Sequence, residues 1–187
     1  MTEGEKTEPN YFKAFAKNVL VTIKTVHAGA GPLRAVDKAM RASTEARRKY
    51  GEGYDEVWCV FDKDNIPPAD FNEAIDKASR SNIAMAYSVP CFELWFLLHF
   101  QRVDAETTCG TCIEKLTKHI EKEFNKSYAK NEEMMYTMLS ARQDEAIKGA
   151  EQLEKTWGTR CRISPAKRNP STVVHRLVKR LLESSRP

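Results

Sequence analysis

The feature that most constrains the fold is a short apolar segment that ends in two aspartates. Residues 57–61 read Val-Trp-Cys-Val-Phe, a pattern typical of a strand buried on both faces in the middle of a parallel sheet. Asp62 and Asp64 follow, and because strand side chains alternate, both are expected on one side of the strand. Open α/β sheets place their chemistry at the carboxyl ends of their strands. The segment therefore predicts a pair of carboxylates at that edge.

Two interpretations of this pair stand. Like charges at this spacing are costly unless a cation lies between them, and oxygen ligands favour a hard divalent cation, Mg²⁺ or Mn²⁺. Asp62 and Asp64 could equally end a strand and begin an ordinary turn, because Asp and Asn are common turn residues and Ile-Pro-Pro follows at 66–68.

The spacing of apolar residues predicts an α/β fold. The predicted elements are helices at 9–17, 33–50 and 70–79 and strands at 19–26, 57–61 and 83–88. This alternation indicates a mostly parallel sheet flanked by helices. After Pro90 the pattern is helical, with predicted helices at 92–100, 113–124, 132–139, 141–157 and 171–184. We expect an α/β core at 1–100 and a helical C-terminal extension at 101–187 that packs on it.

Composition narrows the class of protein. Of 187 residues, 41% are hydrophobic and 30% are charged, which suits a globular domain with its own core. No apolar run approaches the length of a membrane span, and no leader-like segment begins the sequence. We therefore expect a cytoplasmic protein without a membrane partner.

The cysteines favour neither a disulfide framework nor a zinc site. Five irregularly spaced cysteines indicate reduced thiols, and Cys109-x-x-Cys112 lacks the second pair that zinc sites require.

Two further candidates lie in the apolar segment 92–100. An ionised Glu93 in such a segment needs a lysine, an arginine or a metal as its partner. A functional role beside Asp62 and a structural ion pair are both open for it. His99 is a second-rank candidate, since a histidine in an apolar segment is more often a hydrogen-bonded core residue.

Basic residues offer a nucleic-acid surface. Lys6, with Asn10 as a second-rank neighbour, lies near the N-terminus. A basic loop at 160–169 and the last predicted helix carry further cations: Arg160, Arg162, Lys167, Arg168, Arg176, Lys179 and Arg180. They could bind a nucleic-acid backbone, and an ordinary charged face is the alternative.

Several motifs together resemble a known family. They are Thr-Glu-Gly-Glu-Lys-Thr-Glu-Pro-Asn-Tyr-Phe at 2–12, Val-Phe-Asp-Lys-Asp at 60–64, Pro-Cys-Phe-Glu-Leu-Trp-Phe-Leu-Leu-His-Phe at 90–100 and Asn-Pro-Ser-Thr at 169–172. Their order and content resemble the RloB-like family, which includes the AbiL second component of abortive-infection systems. The Glu-Gly followed by Asp-x-Asp also looks like the Toprim signature of topoisomerases, primases and OLD-type nucleases.

The resemblance implies a Toprim-like core, divalent-metal nuclease activity in anti-phage defence and genetic pairing with an AAA-type ATPase. Glu3 matches the Toprim glutamate and would serve as a general acid/base or a metal ligand, while Asp62 and Asp64 match the metal-binding pair. Toprim sheets begin with a strand that runs into the Glu-Gly. Because Met1 stands almost directly before Glu3, that first strand is expected to be missing upstream of Glu3.

The resulting hypothesis is a Mg²⁺-dependent nuclease that cleaves DNA or RNA. The alternative is a catalytically silent module that docks on the partner ATPase, and a third is a nucleotide or nucleic-acid sensor that uses the metal site for binding only. The sequence has no Gly-x-x-x-x-Gly-Lys phosphate-binding loop, so ATP hydrolysis would belong to the partner. Self-association is left open.

Overall fold

The computed structural model describes residues 1–2, 6–17, 22–25, 27, 31–160 and 162–184. Its helices are α1 (Thr7–Ala16), α2 (Pro32–Tyr50), α3 (Pro68–Arg80), α4 (Glu93–Leu97), α5 (Cys109–Phe124), α6 (Met135–Leu139), α7 (Gln143–Gly158) and α8 (Val174–Glu183). Its strands are β1 (Trp58–Asp62), β2 (Ala84–Val89) and β3 (Ser171–Thr172). Short 3₁₀ turns lie at Ser140–Arg142 and Pro165–Lys167.

The three named strands form a small mixed sheet in the order β1-β2-β3. β1 and β2 are parallel, as predicted, with Asp62 beside Ser88. β3 is antiparallel to β2, so the prediction of a mostly parallel sheet is wrong for this strand. The result is a helix-rich α/β fold with a mixed sheet.

The last predicted helix, at 171–184, begins later than predicted because its first two residues form β3. Residues 171–172 pair with β2, and the Thr172 hydroxyl lies 3.0 Å from the Ser88 hydroxyl. The helix α8 begins only at Val174, whose backbone N–H donates to the Thr172 hydroxyl at 3.3 Å. Ser171 and Thr172, which the sequence pattern assigned to a helix, thus pair instead with Ser88 and Val89, two buried residues at the end of β2.

Residues near the N-terminus extend the parallel pairing beyond β1. Thr2 forms parallel bridges to Val60 and His27, and the Val60 N–H donates to the Met1 carbonyl at 2.8 Å. Of the predicted strand 19–26, residues 22–25 lie outside any helix or strand, and positions 19–21 and 26 lie outside the described residues.

The sheet separates two apolar cores. Val60 and Ala86 face a core built from α1 and α4–α8, which includes Tyr11, Trp95 and Leu116. The alternate strand residues, such as Cys59, Phe61 and Tyr87, face a core formed with α2 and α3. This alternation is the period of two expected for strands buried on both sides. The first core joins residues from both halves of the chain.

The predicted helices are confirmed in outline, with shifted ends. α2 begins at Pro32, a favoured first helical position, and stops at Gly51, whose φ of 77° is the left-handed cap that glycine adopts at no steric cost. The predicted helix 92–100 is shorter, with only Glu93–Leu97 helical, although positions 91–99 are all buried as expected. Within the described part of the chain, no helix combines the length and apolarity needed to cross a bilayer.

Candidate functional site: a carboxylate and lysine cleft

The carboxyl ends of β1 and β2 bring two predicted acidic residues to one edge of the sheet. Asp62 is the last residue of β1, and Glu93 is the first residue of α4, shortly after β2. The two connecting loops are tied together: the Lys63 N–H donates to the Ser88 carbonyl and the Asp64 N–H to the Pro90 carbonyl, each at 2.8 Å. Parallel pairing therefore places both carboxylates where sequence reasoning expected them.

These carboxylates line a cleft of about 360 Å³. Its walls are Lys6, Thr7, Glu8, Asp62, Phe92, Glu93, Lys130 and Asn131. Three carboxylates and two ammonium groups thus share one small space, which suits a ligand that carries anionic oxygens together with a cation.

The start of α1 and the segment before α6 form the wall opposite β1. The Thr7 hydroxyl donates to the Lys130 carbonyl at 2.6 Å, and the Asn10 side-chain amide donates to the Asn131 carbonyl at 3.2 Å. Asn10 therefore helps to hold this wall in place. Lys6 lines the same cleft as Asp62, and its contact with a phosphate stays a prediction.

Glu93 is 3% exposed and has the cationic partner that its burial requires. Lys130 Nζ lies 3.7 Å from its Oε1, and the Tyr128 hydroxyl donates to the same oxygen at 3.0 Å. Its other oxygen, Oε2, lies 3.8 Å from the Cys109 thiol. The Glu93 carboxylate raises the pKa of Lys130, and burial together with Glu93 raises the pKa of Tyr128.

Asp64 does not follow from strand alternation. β1 ends at Asp62, and Asp64 is an exposed turn residue with a φ of 24°, so the period of two no longer determines where its side chain points. Its charge nevertheless contributes, after Glu93, to the raised pKa of Lys130. Asp64 is therefore close to the rim of the cleft.

Glu3 lies outside the described residues. Thr2, which precedes it in the sequence, is paired with Val60, two positions before Asp62. The role assigned to Glu3 stays a prediction.

Sulfur ligands also gather beside the cleft. One ligand atom each from Cys91, Glu93 and Cys109 lies within 4.8 Å of the other two. Across the described residues, this is the one group of three His, Cys, Asp or Glu side chains close enough to hold a metal ion. Asp62 and Asp64 do not form such a group with a third described donor.

His99 is a buried core residue away from the cleft. Its Nδ1 lies 3.0 Å from the Trp95 carbonyl, and its Nε2 lies 3.4 Å from the Gln143 amide nitrogen. The Tyr11 hydroxyl donates to the Gln143 amide oxygen at 3.2 Å. Burial lowers the pKa of His99 to about 4, so the structural interpretation of this residue is favoured.

The predicted basic surface lies away from the lining of the cleft. The Arg160 guanidinium lies 5.6 Å from the Trp157 ring centroid, and Arg168 Nε donates to the Ile163 carbonyl at 2.8 Å. Arg162 and Lys167 are exposed.

Three cations of α8 have carboxylate partners outside that helix. Arg176 pairs with Glu154, Lys179 with Glu151 and Arg180 with Glu56. Exposed pairs of this kind contribute little stability, but they reduce the positive charge that α8 offers to a nucleic acid.

Sequence reasoning missed several residues of the cleft and its sulfur neighbour, namely Thr7, Glu8, Cys91, Tyr128, Lys130 and Asn131. The need of a buried Glu93 for a cation was visible in the sequence, but the identity of that cation was not. Tyr128 and Lys130 belong to an irregular segment between two helices, where no periodicity indicates a direction.

Comparison with known proteins gives one match. A family model described as RloB-like protein matches residues 1–181. Comparison with curated proteins and with solved structures gave no significant match.

Proposed function

The chain belongs to the RloB-like family, and from that premise we propose that it is a Mg²⁺-dependent nuclease with a Toprim-like site. Its substrate is a phosphodiester of DNA or RNA, and its setting is bacterial anti-phage defence of the abortive-infection type. The observation that carries this proposal is the presence of Asp62 and Glu93 in one cleft with Lys6 and Lys130.

The cleft is lined by carboxylates, the type of ligand that a hard divalent cation prefers. Asp62, Glu8 and Glu93 supply carboxylate oxygens within one cleft, and Mg²⁺ binds through one or two carboxylates while it keeps several waters. We propose that Asp62 and Asp64 hold Mg²⁺ or Mn²⁺, with Glu3 as a further ligand or general acid/base. When bound, the ion supplies charge neutralisation on the phosphate and an activated water.

The two lysines would bind and orient the phosphodiester. Lys6 precedes α1, whose first N–H groups have no side-chain cap, and such N–H groups favour anions. Lys130 is held at the cleft by the buried Glu93 carboxylate. Glu93 would therefore act in the reaction by fixing Lys130 and Tyr128. We assign contact with the nucleic-acid backbone beyond the cleft to Arg160, Arg162, Lys167 and Arg168.

A second candidate function is a catalytically silent module that docks on an AAA-type ATPase. It is favoured by the contacts of Glu93, whose Oε1 already has Tyr128 and Lys130 as partners. In both proposals ATP hydrolysis belongs to the ATPase.

A cleavage screen distinguishes the two functions. End-labelled single- and double-stranded DNA and RNA are incubated with the full chain, with and without the ATPase, in Mg²⁺, Mn²⁺ or EDTA. We expect cleavage that requires the metal ion and stops in EDTA. Stable binding to the ATPase without cleavage of any substrate would contradict the nuclease and support the silent module.

A further inference from the structure

We propose that Cys91, Cys109 and Cys112 form, together with Glu93, a binding site for a thiophilic divalent cation of the zinc class beside the oxygen-lined cleft. The first evidence is convergence from two distant parts of the sequence. Ligand atoms of Cys91, Glu93 and Cys109 lie within 4.8 Å of one another. Cys112 is the fourth donor of the proposal, because it lies one helical turn after Cys109 in α5.

One donor separation, between the Cys109 sulfur and a Glu93 oxygen, matches that of a tetrahedral site. Zn²⁺ binds sulfur at about 2.3 Å and carboxylate oxygen at about 2.0–2.2 Å, which places neighbouring ligand atoms roughly 3.5–3.8 Å apart in a tetrahedron. The Cys109 sulfur lies 3.8 Å from Glu93 Oε2. A cation can therefore bind between them with small side-chain adjustments.

The ligands are mounted on elements that already have defined positions. Glu93 is the first residue of α4, and Cys91 lies two positions before it. Cys109 and Cys112 lie three positions apart in the first turn of α5, on one helical face. The Thr108 hydroxyl caps α5 by accepting a hydrogen bond from the Thr111 N–H at 3.1 Å. Both pairs thus face each other across a packed helix contact.

Groups around the ligands orient them as outer partners do in metal sites. Tyr128 and Lys130 both contact Oε1 of Glu93, which leaves Oε2 facing the sulfurs. The Thr107 hydroxyl lies 3.8 Å from the Cys112 sulfur. Soft thiolates with one carboxylate select zinc-class ions over Mg²⁺.

Burial is compatible with a closed site that has one point of access. Cys91, Glu93 and Cys112 are buried, whereas Cys109 is half-buried. Cys91-x-Glu93 supplies the second ligand pair whose absence argued against a zinc role for Cys109-x-x-Cys112. It is not a Cys-x-x-Cys pair, so motif spacing could not reveal it.

Co²⁺ substitution tests this site directly. The full chain, purified in reductant and treated with a chelator, is titrated with Co²⁺ and then with Zn²⁺. We expect one thiolate-bound Co²⁺ per chain, recognised by an ultraviolet thiolate-to-cobalt charge-transfer band and tetrahedral visible bands that Zn²⁺ abolishes; Co²⁺ bound by oxygen ligands alone gives no such charge-transfer band. Cys109→Ser should weaken binding at least about 100-fold, because even the loss of an outer partner costs about 10- to 100-fold in affinity. Tyr128→Phe, an outer-partner change, should weaken it about 10-fold.

Cys59→Ser is the matched control, since Cys59 is buried in the other core, against α2 and α3. Cys59→Ser should keep the full thiolate-bound Co²⁺ spectrum. Asp62→Asn, which alters the proposed nuclease site, should keep it too, so failure of the thiol site and failure of the nuclease site can be distinguished. The proposal is overturned if the wild type lacks stoichiometric thiolate-bound Co²⁺, if Cys59→Ser loses it as Cys109→Ser does, or if Cys91 is found in a disulfide with Cys109 or Cys112. Because Cys109 is only half-buried, circular dichroism of Cys109→Ser should match the wild type.

Discussion

Asp62→Asn is expected to lower the rate of Mg²⁺-dependent nucleic-acid cleavage by about 100- to 1,000-fold, the range seen when one stabiliser of transition-state charge is removed. The physical reason is that Asp62 ends β1 inside the cleft. The amide keeps the shape of the side chain but removes the negative charge that a hard cation requires. The measurement is the single-turnover cleavage rate on the substrate identified in the cleavage screen.

Asp76→Asn is the matched control for this change. Asp76 is an exposed residue of α3, a helix that packs on the opposite face of the sheet, so the same substitution there should leave the rate unchanged. A wild-type rate in Asp62→Asn, or equal losses in both variants, would contradict a metal role for Asp62.

Acidification from pH 8 to pH 4 is expected to lower the free energy of unfolding by about 3 kcal/mol through His99 alone. The pKa of buried His99 is lowered from 6.5 to about 4. The unfolded chain therefore binds a proton first, between these two pH values. The stability that neutral His99 contributes is complete above pH 6.5 and is lost as the pH falls towards 4.

The hydrogen bonds explain why the proton is excluded. The Gln143 amide nitrogen donates to His99 Nε2, so that Nδ1–H donates to the Trp95 carbonyl. A second ring proton would face an N–H donor, and rotation of the amide would deprive the Tyr11 hydroxyl of its acceptor. Two effects therefore oppose protonation of His99. Burial disfavours the charged ring, and the added proton breaks a buried hydrogen-bond network.

Urea unfolding of the wild type and His99→Gln at pH 8 and pH 4 measures this effect. Burial also lowers the pKa of His175. His175 and the paired carboxylates contribute to acid sensitivity in both proteins. The difference in the pH dependence of the free energy of unfolding between the wild type and His99→Gln therefore isolates the contribution of His99. His27→Gln, at an exposed histidine, should retain the wild-type dependence. If the free energy of unfolding of His99→Gln depends on pH as that of the wild type does, His99 is not the titrating group.

The sequence predicted those parts of the site that follow from strand pattern and topology, and it did not predict the position of the turn residue Asp64. The apolar run before Asp62 predicted a buried strand, and parallel pairing with β2 then placed Glu93 at the same edge. Both steps follow from local pattern and topology. Asp64 shows the limit, since alternation holds only within a strand and β1 ends at Asp62.

The sequence could not predict contacts between residues that are far apart along the chain, because such contacts form only on folding. Burial of Glu93 required a cation, but many lysines could supply it, and only folding brings Lys130 to it through the Thr7 and Asn10 contacts with the adjoining segment. The strand β3 was missed because two residues carry too little periodicity to outweigh the helical pattern that follows. Its pairing comes from β2, which is 80 residues or more away in the sequence.

The most direct test of the central claim is calorimetric titration of the full chain with Mg²⁺ and Mn²⁺, on the wild type, on Asp62→Asn combined with Asp64→Asn, and on Asp76→Asn. If the edge of the sheet at Asp62 is a divalent-cation site, the wild type and Asp76→Asn bind the ion and the double variant does not. Absence of binding in the wild type, or equal binding by all three proteins, would contradict the metal site and leave the ATPase-docking module as the better account.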